Sequence, residues 1–317
     1  MSSLAGDVRT GDRRALARAI TLVESTRADH REEATALLEE LLPSTGQAVR
    51  VGISGAPGAG KSTFIEALGI ELVDAGKRIA VLAVDPSSTR SGGSILGDKT
   101  RMEELARRAD AFIRPSPSGG TLGGVARRTR EALLVCEAAG FDAVIVETVG
   151  VGQSEVAVAD MVDAFCLLIA PGAGDELQGV KRGIVELADL VVVNKADGEL
   201  KPAAMRTAAD YANALHLVRG RAPQVLTCSA LARTGISDVW SALMQFRADA
   251  ENSGELGHRR AEQARTWLWS ELNESLVDQF RSDRRVRELL PALEAEVVAG
   301  QTSPAAAAQR LLAEFRG

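Results

Sequence analysis

Gly55-Ala56-Pro57-Gly58-Ala59-Gly60-Lys61-Ser62-Thr63 fits the pattern G-x-x-x-x-G-K-[ST], the phosphate-binding loop of nucleotide triphosphatases. An apolar run, Ala48 to Ile53, precedes it and reads as a buried strand, and a helix-compatible run, Ser62 to Ala75, follows. Glycines let the backbone bend around phosphate oxygens, so that successive N–H groups form an anion nest at a helix start. Lys61 has the reach for the outer phosphates, and the Ser62 hydroxyl is a magnesium ligand of the right type. The plainer alternative, a Gly-rich turn that happens to precede Lys-Ser, leaves the flanking strand and helix unexplained.

Working outward, short apolar runs alternate with helical segments. The strand candidates are Val49–Ile53, Ile79–Val84, Ala111–Arg114, Ala143–Glu147, Ala164–Ala170, Leu190–Val193 and Val225–Cys228. Most are continuous runs of Val, Ile and Leu, as expected for strands covered on both faces. The alternation predicts an α/β fold, a P-loop NTPase with a doubly wound, mostly parallel sheet. Upstream, residues 10–43 read as two helices closed by Pro43-Ser44-Thr45-Gly46. Downstream of Asn252-Ser253-Gly254 the strands stop. His258 to Phe280 reads as a long helix with Ala264, Trp267, Leu268, Leu272, Leu276 and Phe280 near one face, and Arg284 to Ala299 and Pro304 to Phe315 continue helically. The expected division is an N-terminal helical extension (1–46), a nucleotide domain (47–253) and a C-terminal helical arm (254–317) that serves dimerisation.

Composition narrows the function classes. The 317 residues carry 37 Lys and Arg against 43 Asp and Glu, a formal charge of −6, unlike the basic footprint of a nucleic-acid binder. The pairs Arg127-Arg128, Arg259-Arg260 and Arg284-Arg285 are interleaved with acids and read as solvated helix faces. No apolar run approaches a membrane span, and the start, MSSLAGDVRTGDRR, lacks the apolar core of a secretory signal. Cys136, Cys166 and Cys228 are far apart in apolar surroundings and read as buried thiols of a cytoplasmic protein. With His30, His216 and His258 scattered, no paired metal-ligand spacing appears.

A second motif, Asn194-Lys195-Ala196-Asp197, stands directly after the run Leu190–Val193. An Asn-Lys-x-Asp here is the guanine-reading element of GTPases: an aspartate accepts two N–H bonds from the guanine edge that adenine does not offer. Asn and Asp also favour turns, so the placement after a phosphate loop and a strand carries the reading. Cys228-Ser229-Ala230-Leu231 fits the accessory base loop, with Ser229, Ala230 and Leu231 beside the base.

Acidic residues for magnesium are Glu147, which ends the run Ala143–Glu147 in Glu-x-x-Gly where many GTPases carry Asp, and Asp85 in Val84-Asp85-Pro86-Ser87-Ser88. Asp98 is either a third such acid or an N-cap for a helix over Lys99 to Arg107. Two Gly-rich loops have switch character: Gly150–Glu155, containing Gln153, and Pro171–Lys181, containing Asp175, Gln178 and Lys181. Gln153 has the chemistry to position a water, at an offset unlike that of Ras-type proteins. Lys181 either offsets developing charge or faces solvent.

Together Gly55–Thr63, Val84–Ser88, Glu147-TVGVGQS-Glu155, the loop Gly174–Gly183 and Asn194–Asp197 resemble the MeaB/ArgK/MMAA family, SIMIBI-class GTPases that act as chaperones of adenosylcobalamin-dependent methylmalonyl-CoA mutase. The resemblance covers nearly the whole chain. It implies GTP/GDP and magnesium as ligands, Lys61, Glu147 and Lys181 as catalytic residues, and Ser62, Asp85, Asp98 and Glu147 around the metal. It further implies a switch loop with Asp175, Gln178 and Lys181 that engages the mutase, a homodimer formed through the C-terminal arm, and cobalamin handled by the mutase rather than by this chain. Two other classes compete. A kinase of a lysine/arginine/ornithine transport system would share the phosphate loop but has no use for a guanine reader. A metal-insertion GTPase would need Cys/His ligands of the kind this chain lacks.

Overall fold

Seven strands fall where continuous apolar runs predict them. They are β1 (Val49–Gly55), β2 (Ile79–Val84), β3 (Ala111–Pro115), β4 (Ala143–Thr148), β5 (Ala164–Ile169), β6 (Leu190–Val193) and β7 (Gln224–Thr227). The computed structural model describes residues 3–84, 102–115, 122–148, 154–172, 182–218 and 223–316. The strands form one sheet in the order β3-β2-β4-β1-β5-β6-β7, with every pairing parallel. β1 lies between β4 and β5, with Ile53 opposite Glu147 on one side and Cys166 on the other.

Period-two alternation sends residues to two separate cores. Val51 and Ile53 join Phe64, Ile65 and Leu68 of the helix Lys61–Asp74 and Ile236, Val239 and Leu243 of the helix Ile236–Asn252. Val144, Val146 and Leu167 face the other way, toward helices Leu122–Ala138, Ser154–Ala159 and Lys201–Val218. Helices on both faces make the sheet doubly wound.

Residues 10–43 hold the two expected helices, Arg13–Val23 and Ala28–Leu41, and a further short helix, Leu4–Arg9, precedes them. Ser3 caps the additional first helix by accepting from the Gly6 amide at 3.1 Å, and Asp12 caps the second by accepting from Ala15 at 2.7 Å. Leu16, Ile20 and Val23 enter the same core as the helix Leu122–Ala138.

By its internal contacts the chain divides into two units, residues 1–263 and 264–317, and the helix Glu255–Ser282 runs from the first into the second. In the second, helices Arg284–Val298 and Pro304–Arg316 bury Val286, Leu293, Ala307 and Leu311, and Phe280 meets Phe315 edge-on at 5.4 Å. Leu268, Trp269, Leu272 and Leu276 are exposed on this unit's part of the long helix. Among the described residues, no helix is long and apolar enough to cross a membrane.

Arg259 and Arg260 are not a solvated face. Arg260 pairs with the fully buried Asp163 carboxylate (2.7 Å) and donates to the carbonyls of Gly46 and Ala48. Arg259 pairs with Asp189 at 2.9 Å. Burial alone would lower both guanidinium pKa values, but the aspartate partners reverse this and hold them raised. The partners lie about 70 to 97 positions away in sequence, beyond the reach of a local charge pattern. Arg127 is likewise mostly buried, paired with Glu131, whereas Arg284 is exposed as expected.

Candidate active site

The carboxyl ends of β1, β4, β5 and β6, the edge where open α/β sheets bind ligands, bring together those predicted site residues that are described. Gly55 ends β1 at φ +155°, and a Cβ there would stand 2.3 Å from the Leu168 carbonyl oxygen, so only glycine fits. The chain turns through Ala56, Pro57 and Gly58, with the Ala59 amide donating to the Ala56 carbonyl at 3.1 Å, and enters the helix Lys61–Asp74 from the left-handed Gly60. A helix N-terminus with free amides beside a lysine is an anion site. The Lys61 ammonium folds back across the loop, donating to the carbonyls of Gly55 (2.7 Å) and Ala56 (3.4 Å). The loop is thereby closed on itself by the charge that would meet a phosphate.

Ser62 donates its hydroxyl to Glu147 Oε1 at 3.0 Å, across 85 residues of sequence. Glu147 is buried at the end of β4. A hydroxyl and a carboxylate side by side, both oxygen donors at the phosphate end of the loop, suit magnesium, which takes few carboxylates together with waters and phosphate oxygens. Asp85, Asp98, Gln153, Asp175, Gln178 and Lys181 lie outside the described residues.

On the other side of the loop stands the Asn-Lys-x-Asp segment. The buried Asn194 donates to the Ala59 carbonyl at 3.0 Å and accepts from the Ala230 amide at 2.9 Å and from the Cys228 thiol at 3.6 Å. Lys195 sits at φ +58°, a rare conformation for a residue with a side chain. Asp197 accepts from the Ser229 hydroxyl at 2.5 Å, and Ser229 in turn accepts from the Ala232 amide at 3.0 Å. An antiparallel bridge between Ser229 and Thr234 closes the loop that carries Leu231, which is 81% exposed. Phosphate loop, Asn-Lys-x-Asp segment and Ser-Ala loop are thus one bonded assembly, with the Asp197 carboxylate held at its rim.

Residues 16–285 match the family described as methylmalonyl Co-A mutase-associated GTPase MeaB. The chain belongs to this family. A putative GTPase of Caulobacter vibrioides is 57% identical over 320 residues, spanning 99% of this chain and 98% of that protein. The Mus musculus protein named methylmalonic aciduria type A homolog, mitochondrial, is 50% identical over 320 residues, 96% of this chain and 77% of its own length. Among solved structures, the crystal structure of a LAO/AO transport system kinase is 39% identical with a TM-score of 0.75, covering 99% of this chain and 97% of that one. As a member of this family the chain is a GTPase with a P-loop NTPase fold.

Two hydroxyls around this GTPase site were not singled out from the sequence as part of it. Ser54 and Thr148, at the buried ends of β1 and β4, bond to each other at 2.9 Å under the phosphate loop. Cys228, read as a buried thiol that heads the Ser-Ala loop, touches Asn194. Burial pushes the Cys228 thiol up to about 12 and raises Cys136 and Cys166 as well, so none is a thiolate near neutral pH. The available signal was a hydroxyl residue at the end of a buried strand, which needs a partner.

Proposed function

We propose that the protein is a GTP-driven chaperone of methylmalonyl-CoA mutase, one that gates loading of adenosylcobalamin and protects the mutase. The observation that supports the nucleotide part is the Asn194 side chain bonded both to the phosphate loop and to Ala230; in this reading Asp197, two residues on from Lys195, would accept the N–H pair of a guanine edge. The family description and the mouse relative's name support the mutase as partner.

In this reading the loop amides and Lys61 bind the β- and γ-phosphates, the ammonium exchanging its carbonyl partners for phosphate oxygens. Ser62 and Glu147 would hold magnesium, with Asp85 and Asp98 as further acids. Bound there, magnesium supplies charge that offsets the phosphoryl group's negative charge during transfer. The buried Glu147 carboxyl accepts from the Ser62 hydroxyl and so orients it. Gln153, Asp175, Gln178 and Lys181 would respond to the γ-phosphate and signal to the mutase, with Lys181 offsetting charge when the mutase is engaged. The exposed Leu268, Trp269, Leu272 and Leu276 support a homodimer through the C-terminal helices. Cytoplasmic residence agrees with three reduced thiols.

The test is GTP turnover with and without purified methylmalonyl-CoA mutase, with ATP as the control nucleotide. Slow intrinsic hydrolysis accelerated by the mutase is expected; no acceleration by any cobalamin mutase of the same cell would sink the proposal. The likeness to a LAO/AO transport system kinase favours a second reading, phosphoryl transfer to a transport protein. That reading predicts that Asp197→Ala leaves nucleotide choice unchanged, whereas the chaperone reading predicts loss of the preference for GTP over ATP.

A further inference from the structure

The phosphate loop is bracketed. Ser54 immediately precedes Gly55, and Ser62 immediately follows Lys61; each is bonded to one of two consecutive residues of β4. The Thr148 hydroxyl donates to Ser54 Oγ at 2.9 Å, and the Ser62 hydroxyl donates to Glu147 Oε1 at 3.0 Å. Because side chains alternate along a strand, these bonds lie on opposite faces of the sheet. Glu147 points toward the helix Lys61–Asp74, and Thr148 points toward the face covered by the helix Ser154–Ala159.

The rear bond is buried. Ser54 is 1% exposed and Thr148 fully buried, with Val146, Leu167 and Val158 in the core on the same face. Two residues before Ser54 on that face, a Cβ on Gly52 would meet Phe165 at 2.8 Å and Val158 at 3.0 Å, so the helix Ser154–Ala159 is seated directly on β1. A hydroxyl pair is poor packing chemistry for such a place. Replacing both hydroxyls by apolar groups of the same shape is close to neutral for stability, so stability alone does not account for the pair. A hydrogen bond does impose a direction and a length, and a metal-binding carboxylate must be held within about half an ångström of its working position. Thr148 is the last described residue of β4 and the neighbour of Glu147, and it also pairs with Val84, the last described residue of β2 and the neighbour of Asp85.

We propose that Ser54 and Thr148 are a positioning pair for GTP hydrolysis: their bond fixes the end of β4 against the root of the phosphate loop, and so sets where Glu147 stands relative to Ser62. Neither touches the nucleotide. The proposal rests on the reading of Glu147 as a magnesium-site residue.

The experiment compares Thr148→Val, Thr148→Ser, Ser54→Ala and the double variant Ser54→Ala/Thr148→Val with wild type and Glu147→Gln. Three quantities are measured: kcat and KM for GTP, the magnesium concentration that half-saturates the gain in GDP affinity (by fluorescence titration), and the melting temperature. Thr148→Val and Ser54→Ala should each lower kcat about tenfold with KM within about twofold, and raise the magnesium midpoint several-fold. The double variant should be no worse than either single, since both remove one bond, and it should melt higher than the singles because no hydroxyl is left orphaned. Thr148→Ser should restore all three quantities. Additive losses, a Thr148→Ser as impaired as Thr148→Val, or a change in melting temperature with an unmoved magnesium midpoint would each overturn the pair. If Glu147→Gln shifts the midpoint and Thr148→Val does not, the pair fails while the Glu147 reading stands. If Glu147→Gln leaves the midpoint where it is, that reading falls and the pair's role with it.

Discussion

Asn194 donates its side-chain amide to the carbonyl of Ala59 at 3.0 Å, joining the Asn-Lys-x-Asp segment to the phosphate loop from which 135 residues separate it in sequence. Its carbonyl end accepts from Ala230, so one buried side chain ties the phosphate loop to the Ser-Ala loop. That link has a consequence for mutation. Asn194→Ala strips partners from the Ala59 carbonyl and the Ala230 amide, and an unpaired buried polar group costs about 1–3 kcal/mol. Guanine nucleotide affinity should fall by about one to two orders of magnitude, read by fluorescent GDP titration, together with a lower melting temperature. Unchanged GDP affinity would show that the Ala59 link does not set the site.

Gly60 is the counterpart of that link on the loop. It sits at φ +88°, and a Cβ there would come within 2.6 Å of Asn194 Nδ2. Gly60→Ala is therefore strained in its backbone and pushes the amide off Ala59. The expected result is a folded protein with GDP affinity reduced at least about tenfold, the strain alone being worth about 1–2 kcal/mol. Gly58, at φ +84° with open space where its Cβ would be, carries the backbone strain without the clash. Gly58→Ala should thus lose less affinity than Gly60→Ala, and equal losses would remove the contact from the explanation.

The root of the long helix Glu255–Ser282 makes a stability prediction. Arg260 is about one-fifth exposed, and its partner Asp163 also accepts from the Arg50 amide at 2.9 Å. Removing the arginine leaves the buried carboxylate with the Arg50 amide as a hydrogen-bond donor and the nearby Arg259 charge, but without its ion pair. Breaking a buried pair costs about 3–5 kcal/mol, and the open side of Arg260 brings the expected loss for Arg260→Ala down to about 2–4 kcal/mol. Thermal melting of the full chain checks this. Arg260→Met combined with Asp163→Asn should melt higher than Arg260→Ala, because no charge is then left uncompensated.

Local pattern carried the sheet and failed on long-range polar pairing, for a physical reason. The runs Ile79–Val84, Ala143–Thr148 and Leu190–Val193 are buried along their whole length, so hydrophobicity alone marks them. The phosphate loop and Asn194–Asp197 were legible because glycine, lysine and asparagine at those spacings answer to a ligand's shape rather than to distant residues. What stayed hidden depends on contacts that sequence order does not encode. Arg259 and Arg260 meet aspartates in loops leading into β5 and β6, and Ser54 meets Thr148 across a strand pairing that needs β1 beside β4. The helix Leu4–Arg9 was missed because six residues give too few turns for a periodic signal, and its Ser3 cap is a single side chain.

Glu24 gives the pH prediction. It is a buried carboxyl that pairs with Arg114 at the end of β3. Burial raises its pKa above the ordinary value of 4.5, and the Arg114 bond only partly offsets this. Native Glu24 therefore holds its proton more tightly than the unfolded chain does. By linkage its contribution to stability is fully present below about pH 4.5, declines as pH rises through the raised native pKa, and is constant beyond. Glu24→Gln carries no such proton, while Arg114 stays charged throughout. The melting temperature of wild type minus that of Glu24→Gln should therefore fall as pH rises from about 4.5 through the raised native pKa, other carboxylates cancelling in the difference. A difference that grows with pH across that interval would mean that the Arg114 pair, and not burial, governs Glu24.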